Sequence, residues 1–168
     1  LAPEAHQQKE GTPTTGGVFI ITAVFIASII TLALAQKLSD EIFIILLALL
    51  FYTLAGFQDD YLKLKGKHND GLSAKGKLLR QIAIALLPTL YVMLASESGT
   101  VFSIGSLSFD LGWFYPLLAI FVITGASNAY NLTDGLDGLA SSTGVFAFIA
   151  CTLLLFFTGH HGAAIVAA

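Results

Sequence analysis

The sequence predicts an all-α membrane protein, a polytopic bundle with about five transmembrane helices in a single membrane domain, 1–168. Of its residues, 55% are apolar and 11% are charged, and the mean hydropathy is +0.80. Such values lie outside the usual range of soluble domains. Five apolar runs approach the roughly 20 residues that a helix needs to cross about 30 Å of hydrocarbon. The predicted spans are 17–36, 42–58, 78–95, 111–131 and 139–158.

The third and fifth spans have features of their own. The third is the weakest, because Arg80 lies in its first turn and Pro88 in its middle. Arg80 can extend towards lipid headgroups, and a neighbouring helix can satisfy the backbone groups that Pro88 leaves free. The fifth span is rich in phenylalanine, which suits contact with lipid, and holds the lone cysteine, Cys151. A single cysteine excludes a disulfide framework and a cysteine metal site.

Lysine and arginine predict the orientation, since cytoplasmic loops carry an excess of both. Only Lys37 lies opposite the remaining basic residues, which are Lys9, Lys63, Lys65, Lys67, Lys75, Lys77 and Arg80. We therefore expect three cytoplasmic segments, 1–16, 59–77 and 132–138. The expected outer segments are 37–41, 96–110 and the residues after 158.

Two acidic clusters are predicted at the cytoplasmic ends of spans, where ionisable groups are costly and usually functional. Asp59 and Asp60 directly follow the second span, and Asp134 and Asp137 lie between the fourth and fifth. The two Asp-Gly pairs indicate a glycine-broken turn or two carboxylates on one helical face. Either arrangement gathers oxygen ligands for Mg²⁺, which takes few carboxylates and completes its shell with water and phosphate. The alternative is that these acids only cap helices.

Two further elements suit an anion. Lysines of the 61–77 segment offer point charges to phosphate oxygens, although they also satisfy the positive-inside rule and suit anionic headgroups. The glycines and hydroxyls before the first span, with a helix N-terminus behind them, can also hold an anion. This second element is weak by itself, because Gly-Thr-Pro also simply begins a helix.

Three motifs, in order and spacing, resemble those of the phospho-N-acetylmuramoyl-pentapeptide transferase (MraY) family of polyprenyl-phosphate sugar-phosphate transferases. The first is Gly11-Thr12-Pro13-Thr14-Thr15-Gly16-Gly17. The second combines Asp59-Asp60-Tyr61 with Gly71-Leu72-Ser73-Ala74-Lys75. The third, which is highly specific, is Asn131-Leu132-Thr133-Asp134-Gly135-Leu136-Asp137-Gly138-Leu139-Ala140. The resemblance covers essentially the whole chain, which would hold the second to sixth spans of the longer family fold.

This resemblance implies an enzyme of peptidoglycan synthesis in the bacterial cytoplasmic membrane, with its site facing the cytoplasm. It would transfer phospho-N-acetylmuramoyl-pentapeptide from UDP-MurNAc-pentapeptide to undecaprenyl phosphate, giving lipid I and UMP with Mg²⁺ as cofactor. The implied partners are these two substrates and the lipid bilayer, with no nucleic acid. A homodimer is carried over from the family alone.

The resemblance also implies roles for individual residues. Asp59 and Asp60 would be the catalytic acids and metal ligands, and whether one acts as nucleophile or as base stays open. Lys67 and Lys75 would meet phosphate, and the others would help bind the nucleotide. The full set of substrate-binding residues is Lys9, Thr14, Lys67, Lys75, Asn131, Asp134, Gly135, Leu136 and Asp137.

The sequence departs from the family at several points. Thr15 stands where the family usually has Met, and Gln58 where an apolar residue usually precedes the acids. The family's third essential aspartate and its cytoplasmic histidine motif would lie beyond residue 168. His160 and His161 are not that motif, because they fall on the predicted outer face. We therefore expect the 168-residue chain to be truncated at both ends and inactive by itself.

Other functions fit less of the sequence. The nearest is a related transferase that uses UDP-N-acetylglucosamine, although Asn131-Leu132-Thr133 and the Gly-Thr-Pro-Thr loop favour the muramoyl branch. For a CDP-alcohol phosphotransferase, residues 134–140 match the start of the family signature, but Ser141 replaces the expected Arg and no Asp or Glu follows as far as Ala168. A cation-coupled transporter would hold its carboxylates near the bilayer midplane rather than at span ends. A purely structural membrane segment would explain the spans but not three ordered motifs.

Overall fold

The structure is a computed structural model that describes residues 16–66, 72–96, 99–135 and 138–168. Within these ranges the chain forms six helices and one antiparallel hairpin. The helices are α1 (Gly16–Leu34), α2 (Asp40–Gly66), α3 (Ala74–Ala95), α4 (Tyr115–Thr133), α5 (Leu139–Phe157) and α6 (His161–Ala167). The hairpin strands are β1 (Val101–Ile104) and β2 (Leu107–Asp110), and a 3-10 turn, Gly112–Phe114, leads into α4.

Five helices in the described part of the chain are long and apolar enough to cross a membrane. The candidate spans are Gly17–Leu34, Asp40–Lys63, Ala74–Ala95, Gly112–Thr133 and Leu139–Phe157. Many of their large apolar side chains, such as Phe121 and Phe146, are exposed, a surface that lipid tails would cover and water would not tolerate. The predicted all-α transmembrane fold is confirmed, and the chain is a multi-pass membrane protein.

Helix α2 is longer than its apolar run. The Ser39 hydroxyl caps its beginning by accepting a hydrogen bond from the Ile42 amide at 3.3 Å. Acids lie in its first turn and lysines in its last, as the helix dipole favours. The helix continues through residues 59–66, where we expected the start of the loop 59–77. Asp59 and Asp60 therefore lie inside a helix rather than after one.

Helix α3 lies between α2 and α4 and forms the centre of the described bundle. The Ser73 hydroxyl caps it by accepting a hydrogen bond from the Gly76 amide at 3.2 Å. Pro88 lies inside the helix without ending it. Because α3 begins where α2 and α4 end, residues far apart in sequence meet at this end of the bundle, which we call the site end.

The opposite end, which we call the hairpin end, is built differently. Leu32, Ile42 and Ala163 form a small apolar core there, where α6 packs against α1 and α2. The hairpin pairs Val101 with Asp110 and turns at Gly105, whose φ of +58° is the conformation that a tight hairpin turn requires. The expected outer segment 96–110 therefore contains regular structure that the sequence analysis did not predict.

Candidate active site

A polar cavity of about 370 Å³ lies between α2, α3 and α4 at the site end of the bundle. Helices α2 and α3 contribute charged side chains to its wall, and one more acid follows the end of α4. These are Asp59, Asp60, Lys63, Lys77, Arg80 and Asp134. A concave site where charges from two helices and from the end of a third converge is the best candidate for ligand binding in the described part of the chain.

Asp59 is a tightly held carboxylate. Its Oδ2 lies 2.7 Å from the Lys63 Nζ, one helical turn later, and its Oδ1 accepts a hydrogen bond from the Leu72 amide at 2.7 Å. The side chain is only 13% exposed. Since both oxygens have partners, Asp59 ties the end of α2 to the residues that begin α3.

Asp60 has a different environment, although it is the next residue. Its side chain is 54% exposed, and its contact with the Lys63 Nζ is longer, at 3.4 Å. Successive side chains on a helix point about 100° apart, so Asp60 shares Lys63 with Asp59 but lies on a more exposed side of α2. Asp60 is therefore the more accessible acid for a cation or a ligand.

Polar side chains also join α3 to α4 across the cavity wall. The Lys77 ammonium donates to the Asn131 Oδ1. One turn deeper, the buried Gln81 pairs with Asn128: Nδ2 of Asn128 donates to Oε1 of Gln81 at 2.9 Å, and Nε2 of Gln81 donates to Oδ1 of Asn128 at 3.3 Å. The Tyr52 hydroxyl on α2 donates to the Gln81 backbone oxygen at 3.2 Å. These contacts hold α2, α3 and α4 in one axial register.

Tyr130 connects α4 to the beginning of α5. Its hydroxyl donates to the Ala140 backbone oxygen at 3.0 Å. A Cβ on Gly144 would lie 2.6 Å from that hydroxyl, so any larger residue at this position on α5 would force the Tyr130 side chain to move. The contact sets the separation of the two helices that flank the third sequence motif.

The cavity brings together some of the residues predicted from the sequence. Asp59, Asp60, Asn131 and Asp134 all line it. Lys75 is exposed in the first turn of α3 and Gly135 follows α4, and neither is part of the cavity wall. The remaining predicted binding residues, Lys9, Thr14, Lys67, Leu136 and Asp137, lie outside the described residues.

Several cavity residues were not predicted as site residues. They are Lys63, Lys77, Arg80, Gln81, Tyr52, Ser127 and Tyr130. For Lys63 the sequence did contain a signal, because it follows Asp59 by four residues, the spacing of neighbours on a helix face. That signal is visible only once 59–66 is known to be helical.

The carboxylates at the cavity suit a hard cation that needs few protein ligands. Among the described residues there is no group of three or more His, Cys, Asp or Glu side chains that would enclose a metal. Mg²⁺ does not need such a cage, because it binds through one or two carboxylates and takes water and substrate phosphate as its other ligands. Asp60, with Asp59 beside it, fits this requirement.

A second cavity of about 400 Å³ lies between α1 and α2. Its wall is mainly apolar, with Val18, Ile21 and Leu49 among its residues. It adjoins the polar cavity, since Asp60 and Tyr52 line both. An amphiphilic ligand with a charged head and an apolar tail would meet suitable surfaces on the two sides of Asp60.

Comparison with known proteins gives consistent matches. A family model described as glycosyl transferase family 4 matches residues 42–168. A protein of Bacillus pumilus named phospho-N-acetylmuramoyl-pentapeptide-transferase is 44% identical over 153 residues, which cover 90% of this chain and 47% of that protein. The Bacillus licheniformis protein of the same name is 42% identical over 166 residues, 98% of this chain and 51% of its own length. The Desulfotalea psychrophila protein of that name is 43% identical over 161 residues, with 94% and 44% covered. The chain spans about half the length of the curated relatives it matches.

Proposed function

The chain belongs to glycosyl transferase family 4, and from this membership we propose that it is part of a membrane enzyme that makes a lipid-linked sugar. The enzyme transfers phospho-N-acetylmuramoyl-pentapeptide from UDP-MurNAc-pentapeptide to undecaprenyl phosphate, forming lipid I and UMP. The names of the relatives support this choice of substrates. The observation that carries it is the polar cavity, where acids and bases of α2 and α3 converge with Asp134 at one end of a transmembrane bundle.

The proposed chemistry is phosphoryl transfer, which depends mainly on positioning and on neutralising phosphate charge. Lys63 and Arg80 line the cavity and supply positive charge for a diphosphate. The Lys63 ammonium contacts both Asp59 and Asp60, so its charge also reduces the repulsion between the two carboxylates. The cavity thereby offers cations for the substrate beside carboxylates for a metal.

Mg²⁺ is the proposed cofactor, held by Asp60 with Asp59 beside it. When bound there, it would neutralise charge on the phosphates and favour departure of UMP. Asp60 is the better direct ligand, because its side chain is half exposed while both oxygens of Asp59 already have protein partners. Asp59 acts in this proposal by holding Lys63 and the Leu72 backbone at the cavity edge.

The two adjoining cavities support a pair of substrates that differ in polarity. A nucleotide sugar would reach the polar cavity from water, and a polyprenyl phosphate would keep its phosphate near Asp60 at the level of the headgroups. The apolar cavity between α1 and α2 offers its hydrocarbon chain a surface next to that phosphate. Because lysines cluster at the site end, we place this end on the cytoplasmic side of the bacterial inner membrane.

The test is a transfer assay on the full-length parent protein in detergent or lipid. UDP-MurNAc-pentapeptide and UDP-N-acetylglucosamine are offered separately with undecaprenyl phosphate, with and without Mg²⁺. We expect Mg²⁺-dependent transfer from the muramoyl donor, lost in Asp60→Asn and kept in Asp40→Asn, a matched change at the hairpin end of the same helix. Transfer from the other donor would move the protein to the related branch, and no transfer from either would overturn the proposal.

A further inference from the structure

Lys77 and Asn131 are the outermost of the side-chain contacts between α3 and α4. Lys77 is half-buried in the first turn of α3, and Asn131 lies in the last turn of α4. Both line the polar cavity, and the ammonium of Lys77 donates to the Asn131 Oδ1. The two residues are 54 positions apart, so only the packing of the helices brings them together.

This contact settles which way the Asn131 amide faces. A lysine ammonium has three donors and no acceptor, so its partner must be the amide oxygen rather than the nitrogen. The Asn131 Nδ2 is thereby directed away from Lys77, and the described residues include no acceptor for it. Asn131 is left as a donor at the cavity wall, suited to an oxygen acceptor of a ligand.

The deeper contact between α3 and α4 keeps this arrangement in register. Gln81 lies one turn after Lys77, and Asn128 lies one turn before Asn131 on the facing helix. Their reciprocal amide contacts, at 2.9 and 3.3 Å, fix the height of α3 against α4. A shift of one helix along the other would break this buried pair, so Lys77 meets Asn131 in one register.

We propose that Lys77 is a positioning residue that holds the Asn131 amide as a hydrogen-bond donor to an oxygen of the nucleotide substrate. The inference rests on the proposed function and names a contact within the same site. The acceptor is a carbonyl oxygen of the base or an oxygen of the phosphate, and both present the same chemistry to Nδ2. Lys77 acts here through Asn131 and leaves direct neutralisation of phosphate to Lys63 and Arg80.

The test is a double-mutant cycle in the full-length parent, with Lys77→Met, Asn131→Ala and the double variant. We expect each single variant to raise the KM for the nucleotide sugar about tenfold, the effect of losing roughly one hydrogen bond. The kcat and the KM for the lipid phosphate should change by less than about twofold. The double variant should be no worse than Asn131→Ala, and Lys77→Arg should restore most of the affinity, because arginine also donates.

Additive losses in the double variant would overturn the inference, since Lys77 would then act on the ligand independently of Asn131. A fall in kcat alone would also overturn it. Lys37→Met, at the hairpin end, is the matched control and should leave both KM values unchanged.

Calorimetric titration with UMP and with uridine gives a readout without turnover. If the Lys77 and Asn131 substitutions weaken the binding of both ligands non-additively, the acceptor lies on the base. If they do so for UMP alone, the acceptor lies on the phosphate. If the two substitutions are non-additive in ligand binding while no transfer occurs, the proposed function is wrong and this inference is supported. If transfer occurs and the losses of affinity in the two single variants are additive, the proposed function is supported and this inference is wrong.

Discussion

The two ends of the bundle use polar groups in different ways. In the hairpin that connects α3 to α4, hydrogen bonds join residues that are close in sequence: Thr100 and Gly112 both donate to Asp110, and Ser103 contacts Ser108. At the site end, Lys77 and Gln81 instead contact residues more than 40 positions away. Local contacts build a connector between two helices, whereas contacts between distant helices build a cavity.

This difference has an energetic reason. A hydrogen bond between neighbours in sequence forms wherever the loop forms, so it depends little on the rest of the fold. A buried amide such as Gln81 must find its partner on another helix or remain unsatisfied in an apolar environment. The site end therefore depends on helix packing, and substitutions there should affect activity and stability more than substitutions at the hairpin end.

The largest expected difference is between two carboxylates of α2. Asp60→Asn should lower transfer by at least about a hundredfold, because an amide is a poor ligand for Mg²⁺. Asp40→Asn, on the first turn of the same helix, should leave transfer within about twofold. Initial rates at saturating substrates measure both. Equal losses in the two variants would contradict the assignment of the active site to one end.

The next expected effect concerns the contact of α4 with α5. Gly144→Ala would place a methyl group against the Tyr130 hydroxyl and should destabilise the protein by about 1–3 kcal/mol. Tyr130→Phe removes the hydroxyl, so the alanine should cost less in that background than in the native one. Thermal unfolding of the full-length protein in detergent gives both values. Additive costs would show that the two residues do not meet.

A smaller effect is expected at the buried amide pair. Gln81→Leu leaves the Asn128 Oδ1 without its donor and should destabilise the protein by about 1 kcal/mol, the scale of hydrogen bonds between membrane helices. Replacing both residues with leucine should cost less than the single change, since no unsatisfied amide remains. Thermal unfolding again measures the difference. A double variant that is less stable than the single one would indicate that Gln81 and Asn128 have a role beyond their hydrogen bonds to each other.

The smallest effect is expected at the hairpin, through Asp110. The Thr100 hydroxyl and the Gly112 amide hold the pKa of Asp110 below its ordinary value, so its contribution exists above that value and is lost as the pH falls through the lowered pKa. Asp110→Asn should therefore speed amide hydrogen exchange in the hairpin at neutral pH and make no difference once the pH has fallen below the lowered pKa and the native carboxyl is protonated. Transfer activity should not change. A loss of transfer would mean that the hairpin end takes part in the site.

The sequence predicted the helical fold because apolar runs report directly on membrane helices. It did not show that α2 extends past Gln58 to Gly66, because hydropathy falls where the charges begin while the helix continues. The hairpin was missed as well, although Gly105-Ser106 between two alternating runs is a two-residue turn signal. Short strands of four residues give little periodicity from which to predict them.

The acids of the site could be predicted from the sequence more easily than its bases. Asp59 and Asp60 stand out because carboxylates are rare in so apolar a chain. The lysines are numerous, and only helix packing shows that Lys77 faces the cavity while Lys75 is exposed. Gln81 could not be identified at all, since its importance comes from contacts with residues on other helices, such as Ser127 and Asn128.

The bond between Asp59 and the backbone of Leu72 makes one amide proton a sensor for the site. Its chemical shift depends on the charge of the carboxylate that accepts it, so a cation or phosphate arriving beside Asp59 would shift this resonance. Selective ¹⁵N-leucine labelling would make the signal accessible in a protein of this kind. Ligand arrival could then be followed on the resting enzyme, residue by residue, without any reaction taking place.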